Sequence, residues 1–247
     1  MDGSALLIFA LGAGAAGFVS GLTGLGTALT ALAFWLHVTT PQIAVPMAAS
    51  IAVLSHLITL TYIRQGIVWR RVWPFLLGGL IGLPIGVAAL SVLSGDAAKA
   101  GLGAFLILYC TYGLAVRRPP VIAGGGRPAD GAVGFGGGFL GGLSGVSGPL
   151  PTIWAGLRGW PKDEQRGVYQ PFNLVILGLS VAGHGLYDRF DPVAGTEALI
   201  AFACAAGGSI LGITTYRRTS DRNFRRIVLI LLLIGGITHL IAWLARN

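Results

Sequence analysis

Two glycine-rich apolar stretches about half a chain apart nearly copy one another: GFVSGLTGLGTAL from Gly17 to Leu29, and GFLGGLSGVSGPL from Gly138 to Leu150. Each lies inside a long apolar segment, Ala5–Trp35 and Ala132–Leu157, that closely spaced glycines interrupt near its centre. In the second, Pro149 and Pro151 add to the break, because proline removes a backbone donor and disfavours a helical residue before it. The likeness continues past the glycines, with Pro41 opposite Pro161, Ser50 opposite Asn173, and Gly79–Gly86 opposite Gly207–Gly212. The chain therefore reads as a duplicated one: a first repeat over 1–116, a Gly- and Pro-rich linker over 117–131, and a second repeat over 132–247.

Six further runs are long enough to cross a bilayer core of about 30 Å: Gln42–Ile63, Val72–Leu93, Ala100–Val116, Val168–Leu186, Val193–Thr215 and Ile227–Leu244. With 54% hydrophobic and 11% charged residues, the chain has the make-up of an all-α polytopic membrane protein. Its net charge of +8 does not point to nucleic acid, since the basic residues cluster between apolar runs rather than on a soluble face. The two cysteines, Cys110 and Cys204, stand alone inside apolar runs and read as structural thiols.

Charge placement separates two topologies. If all eight segments cross, the seventeen Lys and Arg residues divide eight to nine, against the positive-inside rule. If each broken segment is a re-entrant hairpin and both termini lie outside, the split becomes fourteen inside to three outside, the three being Lys99, Arg189 and Arg246. The expected fold is thus two inverted repeats, each a broken helical hairpin plus three full transmembrane helices, with eight full helices as the alternative. A hairpin leg of about 13 residues would reach roughly 20 Å, past the bilayer centre but not across it. All six tryptophans fall near segment ends and read as an aromatic belt.

Non-helical backbone at membrane depth is tolerated only where it lines a cavity or is buried in protein. Glycine-rich tips can offer helix amino-terminal N–H groups to an anion, assisted by nearby hydroxyls. The candidates are Thr23, Gly24, Gly26 and Thr27 in the first tip, and Ser144, Gly145, Ser147 and Gly148 in the second. Gly and Ser also serve ordinary helix packing, and the symmetric recurrence is what favours one anion site formed by both tips. Ser50, Gln170 and Asn173 on the following spans can complete it or simply bond to neighbouring helices.

His56 and His184 are intramembrane candidates for a relay, although a neutral, hydrogen-bonded imidazole suits each at least as well. Arg166 either guides an anion or joins Asp163 or Glu164 at a helix start. No Asp or Glu occurs between Asp2 and Asp96, so a cation pathway lacks its usual carboxylates. No nucleotide, metal or nucleophile motif indicates an enzyme, and no cofactor or metal is called for.

The doubled glycine motif, the run SGVSGPLP and the following WPKDEQR resemble the TauE/SafE sulfite exporter family, also called TSUP, over essentially the whole chain. That resemblance implies transport of sulfur-containing anions and related organic acids, such as sulfite, thiosulfate or sulfonates, across the bacterial cytoplasmic membrane. The tips depart from the family pattern at Thr27 and Ser147, and QPFN at Gln170–Asn173 differs from AAS at Ala48–Ser50, so no relative's substrate carries over. The expectation is a secondary transporter for a small anion working by alternating access. An anion channel and a non-transporting membrane scaffold are the alternatives. Expected partners are the anion, the lipid bilayer and a second copy in a homo-oligomer, with no nucleic acid.

Overall fold

The computed structural model describes residues 3–89, 92, 95–116, 121–186 and 195–245. Arg117, Arg118, Arg189 and Arg246 from the charge count lie outside the described residues, as do the side chains of Lys99, Ser144 and His184. Ten α-helices and no strand occur among the described residues: α1 (Gly3–Thr23), α2 (Thr27–Trp35), α3 (Pro41–Ile63), α4 (Trp69–Ala89), α5 (Gly95–Ala115), α6 (Gly126–Ser144), α7 (Pro149–Leu157), α8 (Lys162–Leu186), α9 (Gly195–Arg218) and α10 (Asp221–Leu244). A 3-10 turn at Arg64–Gly66 joins α3 to α4. Several starts follow local chemistry: Pro41 and Pro149 open α3 and α7, where a missing N–H costs nothing, and the Ser220 hydroxyl caps α10 through the N–H of Asn223.

Five described helical stretches are long and apolar enough to cross a bilayer: Gly3–Thr23, Ile43–Gly66, Trp69–Ala89, Gly195–Arg218 and Asp221–Leu244. In α10 only 22% of the apolar window is buried by protein, so most of that surface requires an apolar environment. α5 offers a shorter apolar stretch, Ala100–Ala115. α8 is 25 residues long but carries polar side chains through its amino-terminal half, which is where the candidate site lies.

Both expected breaks are present, at 24–26 and 145–148, and both are true reversals. The legs are unequal, however: α1 and α6 have 21 and 19 residues, and the returning α2 and α7 have nine each. A helix of 21 residues rises about 31 Å, well beyond the expected leg. Gly12, Gly14, Gly17 and Gly21 do not end α1 because they pack against protein rather than leaving backbone exposed. The helix stops only where Gly24 and Gly26 adopt left-handed φ angles of 73° and 81°.

The chain forms two compact units that draw on both sequence halves. The first comprises Met1–Arg64 and Leu177–Thr219, and the second Gln65–Ile176 and Ser220–Asn247. A sequence repeat and a compact unit need not coincide, since α4 of the first half packs on α6, and α9 of the second half packs on α1.

In the first unit, α1 and α9 run parallel with glycines at their contact. A Cβ added at Gly17, Gly21, Gly208 or Gly212 would overlap the carbonyl oxygen of Ala205, Ser209, Gly14 or Phe18, respectively. Lipid offers no hydrophobic drive for helices to associate, so such close backbone approach supplies the packing instead. The surrounding core is largely alanine, with Ala13, Ala16, Ala31, Ala44, Ala48, Ala201 and Ala205 all fully or nearly fully buried. Trp35, expected in an interfacial belt, is instead completely buried. Its ring stacks on Phe9 at 4.4 Å and its indole N–H donates to the Phe9 carbonyl at 2.8 Å, which ties the end of α2 back to α1. Trp69 and Trp73 are about half exposed, as a belt requires.

The second unit repeats the parallel glycine contact more fully. Gly78, Gly82 and Gly86 of α4 face the carbonyls of Gly131, Phe135 and Phe139, while Gly134, Gly138 and Gly142 of α6 face those of Phe75, Gly79 and Leu83. Spacing of four residues on both helices keeps the two rows in register. Neighbouring glycines open a groove on this pair, and α8 fills it: Phe172 lies against Gly79 and Gly137, and Ile176 against Gly79 and Gly141. α5 and α10 pair antiparallel through Gly103 and Gly236, and Arg225 donates to the Gly113 carbonyl at 2.7 Å.

Candidate anion-binding site

At the first break the local hydrogen bonds are mostly self-contained. The Thr23 hydroxyl lies 2.8 Å from the Val19 carbonyl, to which it donates, and it accepts from the Leu25 N–H at 3.3 Å. Its role there is closing the turn. Gly26 precedes α2 and accepts from both the Thr30 N–H and hydroxyl, at 3.0 and 2.9 Å. The first-turn N–H groups of Thr27, Ala28 and Leu29 are those a helix start leaves without intrahelical partners. Thr27 is buried.

The second break has different chemistry. Gly145 turns the chain with φ 74°, and its N–H closes on Gly141 at 2.9 Å. Proline at 149 and 151 removes two first-turn donors from α7, and Thr152 spends its N–H and hydroxyl on the Gly148 carbonyl, at 3.2 and 2.9 Å. Amino-terminal capture by α7 is therefore weaker than the glycine motif alone indicates. Buried polar side chains of α8 lie beside this break.

Arg166, Gln170 and Asn173 lie on one face of α8 at intervals of four and three residues. Arg166 and Gln170 are wholly buried, and the guanidinium Nε donates to Gln170 Oε1 at 2.7 Å. Asn173 is nearly buried and meets the break itself: Ser147 Oγ donates to its Oδ1 at 3.4 Å, and a Cβ at Gly148 would come within 3.0 Å of its Nδ2. Phe172 and Ile176, seated in the α4–α6 groove, fix the rotation of α8 that puts Asn173 there. Tyr169 is also fully buried, three residues after Arg166. The recurrence of polar residues at 166, 169, 170 and 173 was the available signal for it.

The remaining candidates fall elsewhere. Glu164 forms its ion pair with Arg71, while the guanidinium of Arg166 points inward to Gln170. Ser50 donates to the Pro46 carbonyl in its own helix at 3.0 Å, unlike its repeat counterpart Asn173. His56 is buried on α3 beside a hydroxyl network in which Ser209 lies 3.0 Å from Ser55 and Thr59 donates to the Ser55 carbonyl at 2.7 Å. Thr23, Gly24, Gly26, Thr27, Ser50 and His56 belong to the first unit, and Gly145, Ser147, Gly148, Arg166, Gln170 and Asn173 to the second.

The described helices, five of them long and apolar enough to cross a bilayer, define a multi-pass helical membrane protein, a class that spans many families. Comparison with known families identifies which one. The family model "Sulfite exporter TauE/SafE" matches residues 8–238, nearly the whole chain, and the chain belongs to that family. Its members are membrane transporters rather than enzymes. Neither a curated protein nor a solved structure matches the chain.

Proposed function

We propose that this chain is a secondary transporter moving a small sulfur oxyanion or organosulfonate across the bacterial cytoplasmic membrane by alternating access, with the anion held where α8 meets the second break. The supporting observation is the buried face Arg166–Gln170–Asn173 ending at Ser147 and Gly148. An oxyanion can accept charge-assisted hydrogen bonds from a buried guanidinium. Amide and hydroxyl donors from Asn173 and Ser147 replace part of the anion's hydration shell without adding charge. The first break carries a second donor set at Gly24, Gly26 and Thr27.

Flux into liposomes containing the purified protein tests this with sulfite, thiosulfate, sulfate, sulfoacetate and taurine. Saturable movement of at least one of these is expected, and Asn173→Ala should lower its rate at least about tenfold, the scale of one lost buried hydrogen bond to a charged ligand. No movement of any of them would refute the reading. Conductance without saturation or exchange would indicate a channel instead.

In this reading the arginine-rich helix ends face the cytoplasm and both termini lie outside. A single cysteine at Gln65, in a background lacking Cys110 and Cys204, should react only with reagent supplied from the cytoplasmic side. Reaction from the opposite side would reverse the orientation.

A further inference from the structure

Far from the second break, the amino-terminal ends of α4 and α6 border a cavity of about 370 Å³. Its lining includes Arg70, Arg71, Arg127 and Arg158 against a single carboxylate, Asp130. Fifteen residues of α6 separate Asp130 from Gly145, about 22 Å of helix rise, so this cavity is distinct from the break.

Two of the four guanidiniums are already committed. Arg71 pairs with Glu164, and Arg158 donates to the carbonyls of Ile122, Ala123 and Gly124 at 3.2, 3.1 and 2.6 Å. Both also flank Trp160, with Arg71 Cζ 4.7 Å and Arg158 Cζ 5.8 Å from the ring centroid, and this holds them in place. Asp130 is buried and accepts the Trp154 indole N–H at 2.7 Å, so it ties α7 to α6 rather than neutralising the cavity. Arg70 and Arg127 are exposed and form no hydrogen bond or ion pair with the described residues. Each stands in the first turn of a helix, where the backbone dipole also favours negative charge.

We infer that this cavity is a second anion site, one that binds a compact tetrahedral oxyanion of the sulfate or phosphate type. Arg70 and Arg127 close on the ligand, while Arg71, Arg158 and Trp160 form its fixed wall. The same tetrahedral chemistry is offered by a free inorganic anion and by a phospholipid headgroup at the membrane surface. The inference concerns binding and stands apart from the transport reading.

Calorimetric titration of the full-length protein in lipid-free detergent with sulfate and with inorganic phosphate tests it. Native mass spectrometry after addition of phosphatidylglycerol forms the second arm. Arg70→Gln/Arg127→Gln is expected to raise the Kd for the inorganic anions at least about tenfold, the usual scale of a lost charge-assisted contact. Arg222→Gln/Arg226→Gln, with the same change of net charge at the start of α10, should leave it unchanged. If the lipid is the source, phosphatidylglycerol stays bound to the unmodified protein, is lost from the first variant, and competes with sulfate.

Arg70→Lys/Arg127→Lys keeps the charge and guards against misfolding of the glutamine variant. It should still weaken binding, because lysine lacks the planar fork. Equal anion affinity and equal lipid retention in the unmodified protein and the Arg70/Arg127 variants would overturn the inference. So would equal losses in the Arg222/Arg226 control.

Discussion

Gly138→Leu is expected to yield no folded protein: after membrane extraction it should lack the monodisperse peak of the unmodified chain in size-exclusion chromatography. A Cβ at Gly138 would overlap the carbonyl oxygen of Gly79 and lie 2.6 and 2.7 Å from its Cα and carbonyl carbon. Those are backbone atoms of a helix and cannot rotate away as a side chain can. One excess methylene in a packed interior costs about 1–3 kcal/mol, and a leucine directed at a neighbouring backbone exceeds that range. Separation of α4 from α6 would also dissolve the groove that seats Phe172 and Ile176, and with it the placement of Asn173. A milder comparison isolates the same physics in the first unit. Gly207 has open space around its Cα, whereas a Cβ at its neighbour Gly208 would overlap the Gly14 carbonyl. Gly207→Ala should raise the Tm through the helix preference for alanine, about 0.5–1 kcal/mol, and Gly208→Ala should lower it. Equal effects at the two positions would mean that α1 and α9 are not in close parallel contact.

The same glycines show how far the sequence could be read. The breaks at 24–26 and 145–148 were legible because closely spaced glycines, with proline in the second, leave a helix few ways to continue. The length of the legs was not legible, because a glycine that ends a helix and a glycine that admits a second helix look alike in one sequence. The structure separates them: Gly78, Gly82 and Gly86, and likewise Gly134, Gly138 and Gly142, lie at close helix contacts. The partner of each row could not be read from the repeat, which sets α4 opposite α9 in sequence while packing takes α4 to α6 and α9 to α1.

At the candidate site, Asn173 was legible as a polar residue in an apolar run, and its contact with Ser147 follows from the short α7 turning back beside α6. Arg166 was harder to read, because in sequence it merges with Lys162, Asp163 and Glu164 as one charged helix start. α8 begins with those residues, and one further turn carries Arg166 inside. Trp35 was misread for a related reason: proximity to a segment end suggested the interface, but that end folds back onto Phe9.

The buried pair Arg166–Gln170 provides the second large effect, and its sign depends on what is removed. Gln170→Leu takes away the acceptor that Arg166 Nε reaches at 2.7 Å inside the protein. Loss of one such partner costs about 1–3 kcal/mol, and more where the group is charged, so a clear fall in Tm is expected. Arg166→Met/Gln170→Leu removes the charge together with the Gln170 acceptor and replaces both with apolar groups of similar length. Exchange of a buried ionic or polar pair for packed apolar side chains is often neutral or stabilising, so the double variant should recover much of the lost Tm. Stability and transport would then part company. If Arg166 holds the anion, the recovered double variant folds and inserts but moves no sulfur anion above the rate of protein-free liposomes. Arg166→Lys should fall between, retaining charge while losing the planar fork that matches an oxyanion. Normal flux through the double variant would reduce Arg166 and Gln170 to a structural pair and shift the anion to the donors of Ser147, Gly148 and Asn173.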